Sequence, residues 1–311
     1  MKWIVLIIGV VFLALMSTLV VRFLTMKHVP DDVSWSIESS VSTGVEVNGQ
    51  TGGKLLMVVG GRVVEIGTDG NVSWEMKVSG GVGVVGCWRT GPIGEYVGFW
   101  VPGKGVWVVA RDGKEVWHYD DPKLETVRGW DDPTMVVIGD SDGTIYKRTM
   151  RGDTPRIWNG VDGPREKLSE GDVALMGDPW ISGVDWSGND FVGDFFFCMK
   201  RFGLIGKVDV NNSLAWSWGG LMLCQPSSID VLSGGNILIC DSGNHRIVEV
   251  NSVGNVVWSY DTGERMPVAA ERLWTGVTLV TYLDGAAALN PNSFEMWSVN
   301  ADEVLCAKWY G

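Results

Sequence analysis

Tryptophan recurs along this chain at the end of short apolar segments that follow polar turns. The segments are GNVSW, GKEVW, TPRIW, NSLAW, GNVVW and SFEMW, which end at Trp74, Trp117, Trp158, Trp216, Trp258 and Trp297, with a leading copy, DDVSW, at Trp35. The intervals are 39, 43, 41, 58, 42 and 39 residues. A repeat of four strands takes about 40–45 residues, whereas common helical repeats take about 33–34. The period therefore predicts a β-propeller, a ring of four-stranded sheets.

The internal order of one interval supports this prediction. Residues 227–260 divide into SSIDVLSGG, NILICDSGN, HRIVEVNSVG and NVVWSY, four strand-length runs with alternating apolar positions and turn residues between them. The tryptophan falls on the fourth, outermost strand, where its ring fills the widening gap between blades and its N–H can reach a backbone carbonyl. Six intervals predict six blades, with residues 32–37 and 302–310 each able to supply one strand for closing the ring. Seven blades are the alternative if those ends and the long interval hold another sheet.

Composition agrees with an all-β chain and excludes some partners. Glycine contributes 42 of 311 residues, nearly twice the average share of about 7%, which is typical of many short strands joined by turns. The net charge of −12 argues against binding to nucleic acid, because affinity for phosphates comes largely from Lys and Arg. No cofactor or metal is predicted. The cysteines are odd in number and form no Cys-x-x-Cys pair, so at most two pairs can be oxidised: Cys87, Cys198, Cys224, Cys240 and Cys306.

The N-terminus differs from the rest of the chain. Residues 3–21 contain 19 residues without a charge, bracketed by Lys2 and Arg22, and about 20 apolar residues span the hydrocarbon core of a bilayer. We therefore predict a transmembrane signal-anchor over residues 1–28 and a propeller over residues 32–311. A cleaved signal peptide and a buried core helix are the alternatives, but a signal peptide has a shorter apolar region and a small-x-small site. A single span before a large domain predicts a propeller outside the cytoplasm.

One stretch carries a family resemblance. Residues 241–248 (DSGNHRIV), preceded by GNILI, resemble an NHL repeat. The following GNVVWSY, at residues 254–260, is similar to strand ends of pyrroloquinoline-quinone-like propeller repeats and of bacterial arylsulfotransferase propellers. The resemblance implies a propeller over about 40 residues, and it implies little about function, because such propellers include scaffolds, binders and several enzymes.

The resemblance to arylsulfotransferases implies one catalytic candidate. Those enzymes use histidine as the sulfuryl acceptor, and this chain contains only His28 beside the apolar segment, His118 on a fourth strand, and His245 in the repeat turn. His245 is the candidate, although that position is structural in NHL-type repeats and no base or orienting partner is identifiable. Quinone-dependent dehydrogenases imply a calcium site and an Asp base that no residues here match. A binding or scaffolding module is therefore favoured, with an arylsulfotransferase-like or lyase-like enzyme as the alternative.

Cationic residues recur in the predicted turns between the second and third strands, which emerge at one end of a propeller. Asp140, Asp142 and Asp284 occupy these turns in two blades. We hypothesise an electropositive sector that binds an anionic ligand or a protein partner. The alternative is that these are ordinary solvated turn residues, partly paired with carboxylates. The candidate binding residues are Arg62, Lys104, Lys200, Arg201, His245 and Arg246.

Overall fold

The computed structural model describes most of the chain after the apolar N-terminal segment. The described residues are 33–37, 45–49, 52–79, 86–90, 94–129, 135–149, 156–159, 181–187, 194–209, 211 and 213–310. The predicted anchor at residues 1–28 and the long connection at residues 160–180 lie outside them.

The described residues form 26 strands. The first thirteen are β1 (Ser34–Ile37), β2 (Glu46–Asn48), β3 (Lys54–Val59), β4 (Arg62–Ile66), β5 (Val72–Ser79), β6 (Gly86–Thr90), β7 (Tyr96–Val101), β8 (Gly105–Ala110), β9 (Glu115–Asp120), β10 (Leu124–Gly129), β11 (Met135–Asp140), β12 (Thr144–Thr149) and β13 (Arg156–Asn159). The others are β14 (Ile181–Ser187), β15 (Asp194–Met199), β16 (Leu204–Val208), β17 (Leu214–Gly219), β18 (Pro226–Val231), β19 (Ile237–Asp241), β20 (Arg246–Val250), β21 (Val256–Asp261), β22 (Pro267–Arg272), β23 (Thr278–Tyr282), β24 (Gly285–Leu289), β25 (Glu295–Asn300) and β26 (Val304–Tyr310).

These strands form six antiparallel sheets, which are the six blades of a propeller. Counted along the chain, and from the axis outward, blade 1 is β26-β3-β4-β5-β1 and blade 2 is β6-β7-β8-β9. Blade 3 is β10-β11-β12-β13, blade 4 is β14-β15-β16-β17, and blade 5 is β18-β19-β20-β21. Blade 6 is β22-β23-β24-β25-β2. The prediction of an all-β, six-bladed propeller is confirmed.

Both ends of the described chain take part in closing the ring. The C-terminal β26 is the innermost strand of blade 1 and pairs with β3, as predicted for residues 302–310. The segment at residues 32–37 was expected to close the ring as well, but β1 instead adds a fifth strand to the outer edge of blade 1. The N-terminal contribution to closure comes from β2, which pairs with β25 of blade 6.

The core consists of apolar layers between blades. Within the described residues, six buried clusters occupy the six interfaces between neighbouring blades, including the interface between blades 6 and 1. The six recurring tryptophans lie on the fourth strands, as the period predicts. Trp74 Nε1 donates to the Arg111 carbonyl of blade 2 at 3.0 Å. Each blade thus buries both faces against its neighbours, which a single small sheet cannot do alone.

The two ends of the ring are distinguished by their turns. The turns between second and third strands share one end with the connections from each fourth strand to the next blade. We call this the entry end, because β1 begins there: Ser34 pairs with Ser79, the last residue of β5. In the described part of the chain, the helical segments are 3-10 turns at Gly220–Met222 and Ser242–Asn244, and none of them could cross a bilayer.

Candidate functional site

The innermost strand of every blade carries a charged residue at an equivalent position. Each of these residues pairs with the second or third residue of the adjoining strand, as Arg128 does with Val137 and Asp230 with Leu238. The cations lie on blades 1, 2 and 3, and the carboxylates lie on blades 4, 5 and 6. We call this set the charged belt: Lys308, Arg89, Arg128, Asp185, Asp230 and Glu271.

Ion pairs join the belt across blade boundaries. Arg128 Nε lies 3.0 Å from Asp185 Oδ1, and its Nη2 lies 3.8 Å from Asp230 Oδ1. Lys308 Nζ donates to Glu271 Oε2 at 2.9 Å, which connects blade 1 to blade 6. Arg89 has a partner outside the belt: its Nε lies 3.8 Å from Glu65 Oε2 of blade 1, and its guanidinium lies over the Tyr310 ring. The belt thus bonds neighbouring blades where their inner strands converge.

The same carboxylates also accept backbone hydrogen bonds from the next blade. Asp185 Oδ2 accepts the Val231 N–H at 2.7 Å, and Asp230 Oδ2 accepts the Arg272 N–H at 2.8 Å. Ser227 Oγ donates to the Val268 carbonyl at 2.7 Å. Since inner strands of different blades share no sheet ladder, these bonds satisfy backbone groups that would otherwise be buried without partners.

Burial and neighbouring charges shift the titration of the belt. Burial, reinforced by the charges of Asp185 and Glu271, raises the pKa of Asp230 to about 7. Burial alone would raise the pKa of Glu271, but Lys308 and Arg128 outweigh it and hold that pKa below its ordinary value. The Asp185 carboxylate raises the pKa of Arg128. The charge of Asp230 therefore changes near neutral pH.

A cavity of about 210 Å³ runs along the axis and is lined by residues of all six inner strands. This volume lies below the range of about 300–1,000 Å³ that is usual for small-molecule sites. The Trp88 ring packs directly on the backbone at Gly98 and Gly129. A Cβ atom added at Gly98 would lie 2.2 Å from the ring, and one added at Gly129 would lie 2.0 Å from it. Because Ser227, Asp230 and Lys308 on the channel wall bond to neighbouring blades, we interpret the channel chiefly as a structural contact between blades.

The residues predicted as a cationic sector all lie at the entry end, but they are spread over four blades. Arg62, on blade 1, donates to the buried Glu75 carboxylate at 2.9 Å. Lys104 lies in the turn between β7 and β8 of blade 2. Asp142 and Asp284, in the corresponding turns of blades 3 and 6, form ion pairs with lysine and arginine side chains. The structure does not bring Arg62 and Lys104 together with the other four.

The remaining four candidates come together where blades 4 and 5 meet. The Gly220 N–H donates to the Gly203 carbonyl at 2.7 Å, which joins the turn carrying two of them to the 3-10 turn Gly220–Met222. Arg246 Nη2 donates to the Met222 carbonyl at 2.8 Å, which joins that 3-10 turn to blade 5. We call this surface the cationic corner; it consists of Lys200, Arg201, Leu221, Met222, His245 and Arg246.

The corner combines exposed charge with exposed apolar groups. Leu221 is fully exposed and Met222 is more than half exposed. Arg201 and His245 are exposed as well, whereas Arg246 Nε is 2.8 Å from the buried Asp241 carboxylate. The corner therefore places cations from two blades beside a protruding leucine.

His245 owes its position to the backbone. It has a φ of 51° in the left-handed region, and its carbonyl accepts from both the N–H and the hydroxyl of Thr262. Its side chain is exposed at the surface. Within the described residues, no group of three His, Cys, Asp or Glu side chains could hold a metal ion.

Two features of the site were missed by sequence reasoning. The belt residues recur with spacings of 39, 57, 45, 41 and 37 residues, which follow the tryptophan intervals, so a charge repeating inside an apolar strand was a detectable signal. Leu221 and Met222 carried no such signal, because connections between blades do not repeat. Their exposure becomes evident only in the folded chain.

Comparisons with known proteins agree on the architecture. Residues 223–249 match the family model of the NHL repeat. No curated protein matches the chain. A solved protein of unknown function from Bacteroides caccae is similar over 82% of this chain and 97% of its own, with 16% identity and a TM-score of 0.63.

Two further solved structures show how widely this architecture is shared. The WD40 propeller domain of Doa1 is similar over 88% of this chain and 90% of its own, with 13% identity and a TM-score of 0.58. A catalytically inactive virginiamycin B lyase from Staphylococcus aureus is similar over 69% of each chain, with 14% identity and a TM-score of 0.51. At such identities the likeness establishes the fold alone.

Proposed function

We propose that this chain is a membrane-tethered binding module, held outside the cytoplasm, whose cationic corner binds the anionic headgroups of the membrane that carries the tether. The observation that carries the proposal is the corner itself. Two adjacent turns bring cations to a fully exposed leucine, and hydrogen bonds hold the three segments together. The propeller would then keep one orientation relative to the membrane, and the end opposite the entry end would be free to bind a protein partner.

The path of the chain supports this orientation. Ser34 pairs with Ser79 at the entry end, and the corner lies at the same end. Between the apolar segment and Val33, residues 22–32 can span on the order of 40 Å when extended. The tether is therefore long enough to let the entry end lie against a bilayer and short enough to keep it nearby.

The residue types suit an interface between water and lipid. An exposed leucine gains free energy when it enters the acyl boundary, and flanking Lys and Arg each gain about 1 kcal/mol near an anionic surface. The net charge of −12 opposes this attraction, but salt screens charges more distant than about 8–10 Å. Only cations in contact with the membrane surface then contribute to binding, and this favours a site at which the cations lie close together, as they do in the cationic corner.

The enzyme alternative depends on His245. An arylsulfotransferase-like or lyase-like mechanism would need a base or an orienting group beside its ring. In the described residues around this turn, the neighbouring carboxylate of Asp241 is bonded to Arg246 and Asn244. A surface-binding role makes no such demand on His245, and we favour it for that reason.

We predict that Arg201→Glu will weaken docking of the propeller on anionic bilayers at least about tenfold, because the change removes one favourable charge and adds one unfavourable charge. Cys224 is exposed while the other four cysteines are buried, so an environment-sensitive dye can be attached there in the full-length protein. The measurement is blue shift and quenching by lipid-borne quenchers, in vesicles with and without phosphatidylglycerol.

Lys114→Glu is the matched control, because Lys114 is an exposed cation on the turn between β8 and β9, at the other end of the ring. It should leave the dye signal unchanged, whereas Leu221→Ser should reduce it without affecting stability. Equal signals in neutral and anionic vesicles would refute membrane docking. Unchanged docking in both corner variants would exclude the corner as its site.

A further inference from the structure

The strand that closes the ring carries a cysteine against the neighbouring blade. Cys306 lies on β26 of blade 1, and Cys87 lies on β6 of blade 2. Cys306 Sγ lies 3.5 Å from the Cys87 carbonyl oxygen, so the two cysteines are in direct contact across the blade boundary. Both side chains are buried and both line the axial cavity.

We propose that Cys87 and Cys306 form a disulfide that fastens the closing strand β26 to blade 2. The proposal rests on the proposed function in one respect, since it requires an oxidising compartment outside the cytoplasm. The bond would link the last strand of the ring covalently to the innermost strand of the neighbouring blade. Their separation along the sequence is 219 residues, so the bond would restrict the unfolded chain strongly.

The other cysteines are placed differently. Cys198 Sγ lies 3.4 Å from Ser182 Oγ, and Cys240 Sγ lies 3.5 Å from Ser242 Oγ. These two buried thiols thus contact serine hydroxyls, and Cys224 is exposed. The pairing expected from the contacts leaves three cysteines reduced, which is consistent with the odd number in the chain.

The reaction needs a disulfide oxidant, such as oxidised glutathione. The Cys306 thiolate attacks one sulfur of the oxidant and releases one glutathione thiolate, forming a mixed disulfide. The Cys87 thiolate then attacks the Cys306 sulfur, forms the intramolecular bond and releases the second glutathione. The protein loses two electrons and two protons, and the oxidant is reduced to two thiols. The contact with Cys87 lowers the pKa of Cys306 to about 7, which suits Cys306 as the first nucleophile.

The test uses the full-length protein in detergent, oxidised with glutathione disulfide or, as a smaller probe, diamide. After denaturation and alkylation without reductant, mass spectrometry should find the peptide pair joined through Cys87 and Cys306. Reduction should lower the melting temperature by about 5 °C. Cys306→Ser should abolish both effects, and Cys224→Ser, the exposed control, should abolish neither.

The wild-type peptide map decides the proposal even if Cys306→Ser fails to fold. Alkylation of both thiols after oxidation, or linkage of other cysteines, would overturn it. The oxidation state of Cys87 and Cys306 in protein isolated directly from cells tests the disulfide separately from the proposed function. A disulfide that forms in vitro but is absent in cells would support the proposed pairing of the two cysteines and contradict the placement of the propeller outside the cytoplasm.

Discussion

Replacing Asp185 with alanine is expected to lower the free energy of unfolding by about 3 kcal/mol. The carboxylate is almost fully buried, lies 3.0 Å from Arg128 Nε and accepts the Val231 N–H at 2.7 Å. Alanine leaves a largely buried guanidinium without its nearest counter-charge and a backbone donor without its acceptor. Urea unfolding of the full-length protein in detergent, followed by tryptophan fluorescence, measures the loss.

Two further variants separate charge from hydrogen bonding. Asp185→Asn keeps an acceptor for Val231 and should cost less than alanine. The double variant Arg128→Met, Asp185→Leu removes both charges and should recover part of the loss, because an apolar pair avoids the desolvation of two ions. A stability for Asp185→Ala within about 0.5 kcal/mol of the wild type would contradict a structural role for the belt.

Asp230→Asn is expected to stabilise the protein above neutral pH and to have little effect below about pH 4. Folding raises the pKa of this carboxyl from an ordinary 3.8 to about 7, so the folded chain holds a proton that the unfolded chain has released. Stability of the wild type therefore falls as pH rises from about 4 to about 7, by up to about 4 kcal/mol. Asparagine is neutral throughout and can still accept the Arg272 N–H.

The measurement is the difference in free energy of unfolding between Asp230→Asn and the wild type at several pH values. Other titrating groups cancel in this difference, which should grow between pH 4.5 and 8 and then level off. Glu264→Gln, at an exposed carboxyl near the same blade, serves as the matched control for the loss of one carboxylate. A flat or falling difference for Asp230→Asn would show that the carboxyl is ionised in the folded protein below pH 7.

The blade count was predictable from sequence because tryptophan has a fixed place in each sheet. Trp74 and its equivalents each lie on the fourth strand of a blade, so the number of residues between successive tryptophans equals the length of one blade. Ring closure was harder to predict. Nothing in residues 46–48 distinguishes them from a loop, and β2 becomes a strand only because β25 offers it an open edge.

The candidate site was predictable only in part. Turn position alone places Arg62, Lys104 and Arg201 at one end of the ring, because alternate turns of a blade share an end. Which of them become neighbours depends on blade order and on hydrogen bonds such as that from Gly220 to Gly203. Leu221 lies in a connection between blades that has no counterpart in the repeat. Its exposure depends on the folded arrangement around it, which no sequence pattern indicates.

The most direct test of the cationic corner is hydrogen–deuterium exchange of the full-length protein in nanodiscs of neutral and of anionic lipid. We predict that anionic lipid will slow exchange at residues 200–203, 220–224 and 243–246, and that Arg201→Glu will abolish the difference. Slowed exchange at the opposite end, around the exposed Trp274 and Phe294, or no difference between the lipids, would contradict the proposed orientation.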